Sequence, residues 1–396
     1  MTVPGGRRVA ITGLGVVTAC GPGLDDLWAA LVTGADGPPA EGLGWFDPRT
    51  WMGRAEVRRS SGYVHHAVAA AAMALDDAGS PPLPVARTGV WIGHTHGPSD
   101  RIEAEDRRLV ADGPAAVAPF LTVLSAESAP AAAIAAQLGT RGPARMSGGG
   151  CASGVMAVGD GADAVGLGRC DVALAGATAG ELAEVLHTAY RNVRVLSPTG
   201  VVRPFDARRD GFVYRPSAAV VVIEPLDDAV ARGARVYAEV LGTGATNDGA
   251  DPVKATGVGA RECVRAALDE AGLEAAAVAH VNAHGSGTRA NDQIEADLVA
   301  ELFPHRPPVT SNKAVTGHSL GAAGAVEVVA ACLSLHHGLL PPAVRELEPD
   351  PDIVATGIDV VHGEARPWTP GPVLSCSYGL GGQNGAALLG PPPATT

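Results

Sequence analysis

The chain has 396 residues, of which 46% are hydrophobic and 18% are charged, so it can bury a large core as a compact globular protein. The formal net charge of −13 argues against a general nucleic-acid binder, because such a protein neutralises phosphates with a basic face. Only 4% of the residues are aromatic, so alanine, valine and leucine must fill the interior.

The first half of the chain alternates apolar strand patterns with helical ones. A buried strand broken by glycines is predicted first, and a Gly/Pro-rich loop separates the first two helices. In chain order the predicted elements are a strand over residues 8–17, a helix over 24–31, a loop over 34–58, a helix over 64–78, a strand over 88–93, a helix over 155–167, and strands over 171–176 and 218–224.

The second half repeats this alternation. Its predicted elements are strands over residues 236–240 and 278–281, a helix over 261–271 between them, a helix over 321–335, an apolar run over 371–377 and a glycine-rich turn over 379–385. Near-continuous apolar strands that alternate with helices indicate α/β layers with sheets covered on both faces. The halves share a loose plan, since a glycine-rich turn feeds a long alanine-rich helix after Cys151 and again after His318.

Cys151 lies in the segment Ser-Gly-Gly-Gly-Cys-Ala-Ser-Gly, residues 147–154. At the start of a helix the dipole favours the thiolate, and the preceding glycines let a substrate approach closely. These features suggest a nucleophile. The alternative is a small buried hydrophobic residue, which is the usual environment of a free cysteine and our interpretation of Cys170, Cys263 and Cys332.

His284 follows an apolar run and lies in a turn of small residues, where a histidine can face a cavity. Ser286 and Thr288 in the same turn offer hydroxyl groups to a polar ligand. The alternative is a loop histidine that is hydrogen-bonded to the backbone. Both interpretations remain open from this segment alone.

Lys313 and His318 lie in a second small-residue loop that leads into a helix. Lysine occurs only at positions 254 and 313 of the sequence, so Lys313 stands out. A nearby helix N-terminus is expected to lower the pKa of His318 and keep the ring neutral. Glu295 is the expected ionic partner of Lys313, with an ordinary helix-face pair as the alternative.

Other chemical motifs are weak or missing. Gly13-Leu14-Gly15 lacks the third glycine of a dinucleotide fingerprint, and no Walker A or HExxH sequence occurs. The six cysteines lack metal-ligand spacing, and the pairs His94/His96 and His336/His337 have no identifiable partners. We therefore expect no metal site. The thiol and the two histidine motifs together indicate thioester chemistry.

Taken together, these segments resemble the β-ketoacyl-acyl-carrier-protein synthases, the elongating Cys-His-His ketosynthases of the thiolase-like superfamily. The resemblance covers nearly the whole chain and rests on residues 8–15, 147–154, 203–213, 282–295, 313–324 and 379–384. It implies two pseudo-equivalent halves, residues 1–233 with the nucleophile and residues 234–396 with the histidines. They would form a five-layer αβαβα sandwich that pairs as a dimer.

The resemblance also implies the roles of the site residues. Cys151 would carry the acyl group, and His284 and His318 would hold the thioester carbonyl of malonyl-carrier protein during decarboxylation. The amides of Cys151 and Leu380 would form the oxyanion hole. Further implied roles are ordering of the histidine pocket by Lys313 paired with Glu295, and contact with the phosphopantetheine arm by Ser286, Thr288 and Leu380. No dissociable cofactor is expected beyond that arm.

The chain departs from the family's usual pattern in several places. Gly149-Gly150 replaces a usual Thr-Ala, residues 214–218 (Tyr-Arg-Pro-Ser-Ala) replace Gly-Glu-Gly-Ala-Gly, Leu380 replaces a phenylalanine, and Gln383 replaces a threonine. These departures suggest a specialised, type II polyketide-like ketosynthase. Two alternatives are an acyltransferase that does not condense, and a chain-length-factor-like subunit of a heterodimer, against which the retained Cys151 argues.

The expected partner is an acyl carrier protein, which is acidic and so should dock on a local basic patch. The candidates are Arg58, Arg59, Arg203, Arg208 and Arg209, with solvated surface charge as the alternative. The chain would form a homodimer, or a heterodimer with a chain-length-factor-like subunit, and would bind neither nucleic acid nor membrane. No signal-peptide pattern precedes Arg7, so a cytoplasmic location is expected.

Overall fold

The computed structural model describes residues 6–35, 37–39, 42–250 and 255–393. Residues 1–5, which belong to the segment used to judge a signal peptide, lie outside the described residues. The strands are β1 Val9–Thr18, β2 Gly21–Pro22, β3 Thr88–His94, β4 Ala144–Gly148, β5 Val172–Ala179, β6 Ser217–Pro225, β7 Ala238–Asn247, β8 His280–Asn282, β9 Pro308–Thr310, β10 Leu339–Leu340, β11 Asp359–Val360, β12 Arg366–Pro367, β13 Val373–Tyr378 and β14 Gln383–Gly390.

The helices lie between these strands, and two short 3₁₀ turns, Gly150–Ala152 and Leu320–Ala322, lead directly into two of them. The α-helices are α1 Leu24–Thr33, α2 Arg54–Arg58, α3 Gly62–Asp77, α4 Ser99–Asp112, α5 Leu121–Leu124, α6 Ala129–Leu138, α7 Ser153–Gly166, α8 Glu184–Asn192, α9 Leu226–Ala231, α10 Val258–Ala271, α11 Arg289–Leu302, α12 Lys313–Thr316, α13 Ala323–His337 and α14 Pro351–Thr356.

The two halves of the chain have the same strand topology. In the first, β3 lies parallel to β4 and β5, and β6 lies antiparallel between β5 and β1. In the second, β8 lies parallel to β9 and β13, and β14 lies antiparallel between β13 and β7. The predicted pseudo-equivalence of the halves is therefore confirmed.

The halves join along one edge, where β1 pairs with β7 over three residues, Val9 to Ile11. Within the described residues this makes a continuous sheet of order β11-β9-β8-β13-β14-β7-β1-β6-β5-β3-β4. The register of β1 against β6 shifts between Ile11 and Gly13, just past the last pair with β7. A bulge bends its strand, so it allows β1 to leave one half and continue in the other.

Two helices lie between the sheet halves. Helix α7 contacts β3 and β5 on one side and β7 and β14 on the other, and α13 contacts β6 and β13. Helix α3 covers the outer face of β1 and β6, while α10 covers the outer face of β7 and β14. The resulting order of layers is helix, sheet, helix, sheet, helix, as predicted.

Glycine allows the two central helices to approach closely. A methyl group on Gly154 of α7 would lie 2.6 Å from the backbone nitrogen of Ala325, and one on Gly324 of α13 would lie 2.8 Å from Cγ2 of Val155. Both separations are far shorter than carbon contacts allow. The start of each helix is thereby held against the other.

Residues 320–337 are long and apolar enough to cross a membrane by length and composition, but 89% of this window is buried inside the protein. Helix α13 is apolar on most of its surface because it is a central helix of the sandwich.

Several boundaries differ from the sequence-based expectation. The predicted loop over residues 34–58 contains α2 and a 3₁₀ turn at Pro48–Thr50, which Asp47 caps by accepting a hydrogen bond from the Arg49 amide. Strand β14 begins inside the predicted turn over 379–385, at Gln383. Helices α4 and α8 were not predicted, and both expose most of their surface.

Candidate active site

The fold brings two equivalent turns together. Cys151 lies in the turn Gly150–Ala152 that leads into α7, and His318 lies just before the turn Leu320–Ala322 that leads into α13. These two turns contact each other because the helices that follow them pack side by side. The nucleophile candidate of one half and a histidine of the other therefore meet at the centre of the molecule.

The Cys151 side chain is only 7% exposed and packs with Phe212 and Leu320. Burial raises the pKa of its thiol to about 11, and the opposing effects of the Lys313 charge and the Leu380 amide do not cancel it. Desolvation of the charged form thus acts against the thiolate that the helix start was expected to favour.

Two backbone amides, that of Leu380 and that of Cys151 itself, lie near enough to the sulfur to lower the pKa of the thiol, against the larger effect of burial. The Leu380 turn is held by a hydrogen bond from the Gly379 amide to the Gln383 carbonyl oxygen, 2.7 Å long. The Leu380 side chain itself is 53% exposed. Leu380 thus contributes its amide to the site, while its side chain lies at the surface.

Glu295 fixes the turn that carries His284. Its Oε1 accepts a hydrogen bond from the His284 amide at 2.6 Å and its Oε2 accepts one from the Gly285 amide at 2.7 Å. Burial raises the pKa of Glu295 to about 8 in spite of these two donors. Glu295 therefore acts on the backbone of the turn.

Lys313 is fully buried, and its ionic partner is Glu327 of α13. The ammonium group also donates to the carbonyl oxygen of His284 and lies 3.4 Å from Nδ1 of the same residue. The predicted Lys313–Glu295 pair is wrong, because backbone amides occupy both oxygens of Glu295. Burial raises the pKa of Glu327 to about 7 against the effect of the Lys313 charge.

Sequence reasoning missed Glu327, although a signal was present. It is a single carboxylate within an otherwise apolar helix, and a buried carboxylate needs a partner. The sequence does not show that Glu327 pairs with Lys313, because the two residues lie on different helices, α12 and α13. Only the tertiary packing brings them together.

The rings of His284 and His318 lie with centroids 5.2 Å apart at an angle of 77°, and Phe212 packs edge-on against His318 at 4.8 Å. Burial lowers the pKa of both histidines well below 6.5, and the Lys313 charge lowers it further. Both rings are therefore neutral at neutral pH. The direction agrees with our expectation for His318, but burial rather than a helix N-terminus is the main cause.

Each neutral imidazole has one N–H to donate. Nδ1 of His318 is buried and has no hydrogen-bond partner among the residues that the structure describes. A ligand atom in the site would face two uncharged rings and the two amides near the sulfur.

Ser286 and Thr288 lie beside His284, with their hydroxyl oxygens 2.9 Å apart. Their loop is anchored by Asp292, which accepts hydrogen bonds from the Gly287 amide at 3.2 Å and from the Phe205 amide at 2.9 Å. Ser286 is 4% exposed, and Thr288 is half-buried. The two hydroxyl groups therefore lie next to the His284 turn, one of them buried and the other partly exposed.

The segment that departs from the family pattern forms a wall beside His318. Tyr214 and His318 form a β-bridge, and the Val213 carbonyl accepts a 2.8 Å hydrogen bond from the His318 amide. The Tyr214 hydroxyl donates to the Gly180 carbonyl at 2.5 Å, and Arg215 Nε donates to the carbonyl of Pro39 at 3.1 Å. These side chains tie the wall to two other loops.

The predicted docking arginines fall into two groups. Arg209 is 3% exposed and pairs with Asp350 at 2.6 Å, so its assignment to a docking patch is wrong. It is a buried structural cation. Arg208 is partly exposed and pairs with Asp206 at 2.9 Å and with Glu348 at 3.3 Å.

Arg58 and Arg59 are exposed, and Arg203 is half-buried. The Arg59 guanidinium lies over the Phe120 ring, 5.5 Å from its centroid. These three residues and Arg208 stay candidates for a basic surface. In the described ranges, no cluster of three or more histidine, cysteine or carboxylate side chains is arranged to bind a metal.

Comparison with known proteins agrees with this site. The family model "Beta-ketoacyl synthase, N-terminal domain" matches residues 40–229, and "Beta-ketoacyl synthase, C-terminal domain" matches residues 237–345. The chain belongs to the β-ketoacyl synthase family, whose members are condensing acyltransferases.

Individual relatives span the whole length of the chain. The 3-oxoacyl-[acyl-carrier-protein] synthase 2 of Rhizobium meliloti is 35% identical over 418 residues, covering 97% of this chain and 98% of that protein. A putative polyketide β-ketoacyl synthase 1 of Streptomyces halstedii is 35% identical over 432 residues, with the same coverage. Among solved structures, the ishigamide ketosynthase/chain length factor matches with a TM-score of 0.91 and 32% identity, covering 97% of this chain and 99% of that one.

Proposed function

We propose that this protein catalyses decarboxylative Claisen condensation between an acyl group on Cys151 and a malonyl unit on an acyl carrier protein. The observation that carries the proposal is one buried site containing a thiol, two neutral histidines and two amides near the sulfur. The named relatives act in fatty-acid and polyketide synthesis. The departures around Tyr214 and Leu380 favour a role in specialised metabolism.

The first step transfers the acyl group. The Cys151 sulfur bonds to the thioester carbonyl carbon, the carbon–sulfur bond to the phosphopantetheine arm breaks, and the departing sulfur takes the thiol proton. The amides of Cys151 and Leu380 stabilise the oxyanion between these events. A pKa of about 11 means that the proton leaves as the new bond forms, not in advance.

The second step makes the carbon nucleophile. The bond between the malonyl carboxylate and its neighbouring carbon breaks, carbon dioxide leaves, and the electron pair forms an enolate. Neutral N–H groups of His284 and His318 would stabilise the enolate oxygen. Lys313 supports this role because its charge adds to the effect of burial and lowers the pKa of both rings further. The enolate carbon then attacks the acyl-Cys151 carbonyl, and the thiolate leaves and regains a proton.

Ser286 and Thr288 would meet the polar groups of the phosphopantetheine arm, so no dissociable cofactor is required. Arg58, Arg59, Arg203 and Arg208 would provide the basic surface for the carrier protein. We place the enzyme in the cytoplasm, as a homodimer or as a heterodimer with a chain-length-factor-like subunit. The halves would divide at residues 233/234, between α9 and β7.

The test combines carbon dioxide release from malonyl-carrier protein with intact-mass measurement of the acylated chain. We expect release in the wild type, its loss in His318→Ala, and loss of acylation in Cys151→Ala. Acylation without carbon dioxide release would favour the non-condensing acyltransferase. A chain that never forms acyl-Cys151 would favour a chain-length-factor-like subunit.

Docking has its own test. Charge reversal of Arg58 and Arg59 should raise KM for carrier-linked substrates and leave small thioesters unaffected, because only the carrier presents an acidic surface. Equal losses with both kinds of substrate would contradict this assignment.

A further inference from the structure

The peptide group between Gly150 and Cys151 borders the thiol. Its N–H is the Cys151 amide, which lies near enough to the sulfur to lower the pKa of the thiol and which stabilises the oxyanion in the proposed acyl transfer. Its C=O is the Gly150 carbonyl. Because the peptide group is planar, whatever holds the carbonyl oxygen also sets the direction in which the N–H points.

The backbone before this peptide group is easily rotated. Gly150 has a left-handed conformation, with a φ of 55°. Glycine populates this conformation about as readily as the right-handed one, so the residue itself does little to fix the orientation of the peptide group that follows. The orientation of the Cys151 N–H therefore depends on the hydrogen bonds made by the Gly150 carbonyl.

Three donors surround the Gly150 carbonyl oxygen. The Ser153 amide donates to it within the 3₁₀ turn. The Ser153 hydroxyl lies 2.7 Å away, but it also lies 2.9 Å from the His94 carbonyl oxygen and has one proton for the two acceptors. The Thr95 hydroxyl donates at 3.0 Å and has no other acceptor among the residues that the structure describes. Thr95 is thus the side chain whose hydrogen bond is given to this peptide group alone.

Thr95 lies directly after β3, between the two turns of the site. A methyl group on Gly321, in the turn Leu320–Ala322, would lie 2.7 Å from the Thr95 hydroxyl oxygen. That separation is shorter than a carbon–oxygen contact allows, so a side chain at residue 321 would compete with the hydroxyl for its place. The Thr95 hydroxyl therefore contacts the turn that carries Cys151 and the turn that follows His318.

Resting on the proposed condensation, we propose that Thr95 is a positioning residue for the oxyanion hole. Its hydrogen bond to the Gly150 carbonyl fixes the direction of the Cys151 N–H. It also makes that N–H a stronger donor, because hydrogen bonds joined in a chain polarise one another. The N–H then stabilises the oxyanion better while the acyl group moves to the sulfur. Thr95 acts only through this peptide group and takes no part in bond formation.

The experiment compares Thr95→Val with the wild type in two reactions. One is acylation of Cys151 by a butyryl-carrier thioester, followed by intact mass, and the other is carbon dioxide release from malonyl-carrier protein. The maximal acylation rate should fall about three- to tenfold with KM unchanged, a loss typical of one hydrogen bond. Carbon dioxide release should be unchanged, because the proposed decarboxylation uses the two histidines and not the Cys151 amide.

Two variants serve as controls. Thr95→Ser returns the hydroxyl and should restore the acylation rate. Thr178→Val is the matched control, since it removes a buried threonine hydroxyl that donates to the Tyr63 carbonyl at 2.6 Å and not to Gly150. Its acylation rate should equal that of the wild type. Should Thr95→Val fail to fold, Thr95→Ala makes the same comparison.

A wild-type acylation rate in Thr95→Val would overturn the assignment of Thr95. Equal losses of acylation and carbon dioxide release would overturn it as well, because they would show general damage to the site, and so would a Thr95→Ser variant as slow as Thr95→Val. Failure of the wild type to form acyl-Cys151 would instead contradict the proposed condensation. The two failures are therefore distinguishable.

Discussion

Replacing Lys313 with methionine removes the buried ammonium while keeping a side chain of similar length. The variant leaves the Glu327 carboxylate unpaired in a site where both residues are at most 2% exposed. Breaking a buried pair in this way costs about 3–5 kcal/mol of unfolding free energy. With about 2.1 cal/mol/K of unfolding entropy per residue, that loss lowers Tm by about 4–6 °C in a chain of 396 residues.

The double variant Lys313→Met/Glu327→Leu separates stability from chemistry. An apolar pair of similar volume is about as stable as a buried ion pair, so Tm should return close to the wild-type value. The Lys313 charge lowers the pKa of Cys151, and the Glu327 charge raises it. Alkylation of Cys151 at fixed pH should therefore slow in the single variant and partly recover in the double variant.

Thermal unfolding and the rate of iodoacetamide alkylation at pH 8 check these outcomes. Malonyl decarboxylation should stay impaired in both variants, because the His284 carbonyl loses its donor in each. A single variant with wild-type Tm, or a double variant less stable than the single one, would refute the argument from a buried pair.

Three further outcomes are expected. The alkylation rate of Cys151 in the wild type should rise about tenfold per pH unit from pH 7 to pH 10, since a pKa of about 11 leaves little thiolate below it. Gly324→Ala should destabilise the protein by about 1–3 kcal/mol through its clash with Val155, measured as a lower Tm. Arg209→Ala should lose about 3–5 kcal/mol of stability by leaving Asp350 unpaired, with no change in KM for carrier substrates.

Each of these has a result that would contradict it. A plateau of the alkylation rate near pH 8 would show a normal thiol. Gly148→Ala is the control for Gly324, because a methyl group there meets nothing within 4 Å. Equal losses in the two glycine variants would contradict the close packing of the central helices. If the Arg209→Ala variant had wild-type stability and a raised KM for carrier substrates, Arg209 would have to be assigned to the docking surface after all.

Much of the fold was accessible from local sequence patterns. Buried strands such as β5 and β6 are continuous apolar runs, and the chain's turns carry glycine where the backbone must reverse. The shared plan of a glycine-rich turn before an alanine-rich helix anticipated the equivalence of α7 and α13. Helices α4 and α8 were missed because they are mostly polar and exposed, so no long apolar run marks them although each has an apolar face.

The residues of the site could be identified from the sequence, but their surroundings could not. Cys151, His284, Lys313 and His318 could be singled out because each lies in a motif of small residues, which is a local property. The environment of each group was not accessible. The sequence suggested Glu295 as the partner of Lys313, and only packing showed that the partner is Glu327.

The sequence by itself thus determined the main buried strands and apolar helices, the family pattern and the identity of the reactive groups, because these depend on neighbours along the chain. Tertiary structure alone decided that the Cys151 thiol is protonated, that both histidines are neutral, and that Arg209 is buried against Asp350. The physical reason is that desolvation and charge pairing depend on which distant segments surround a group.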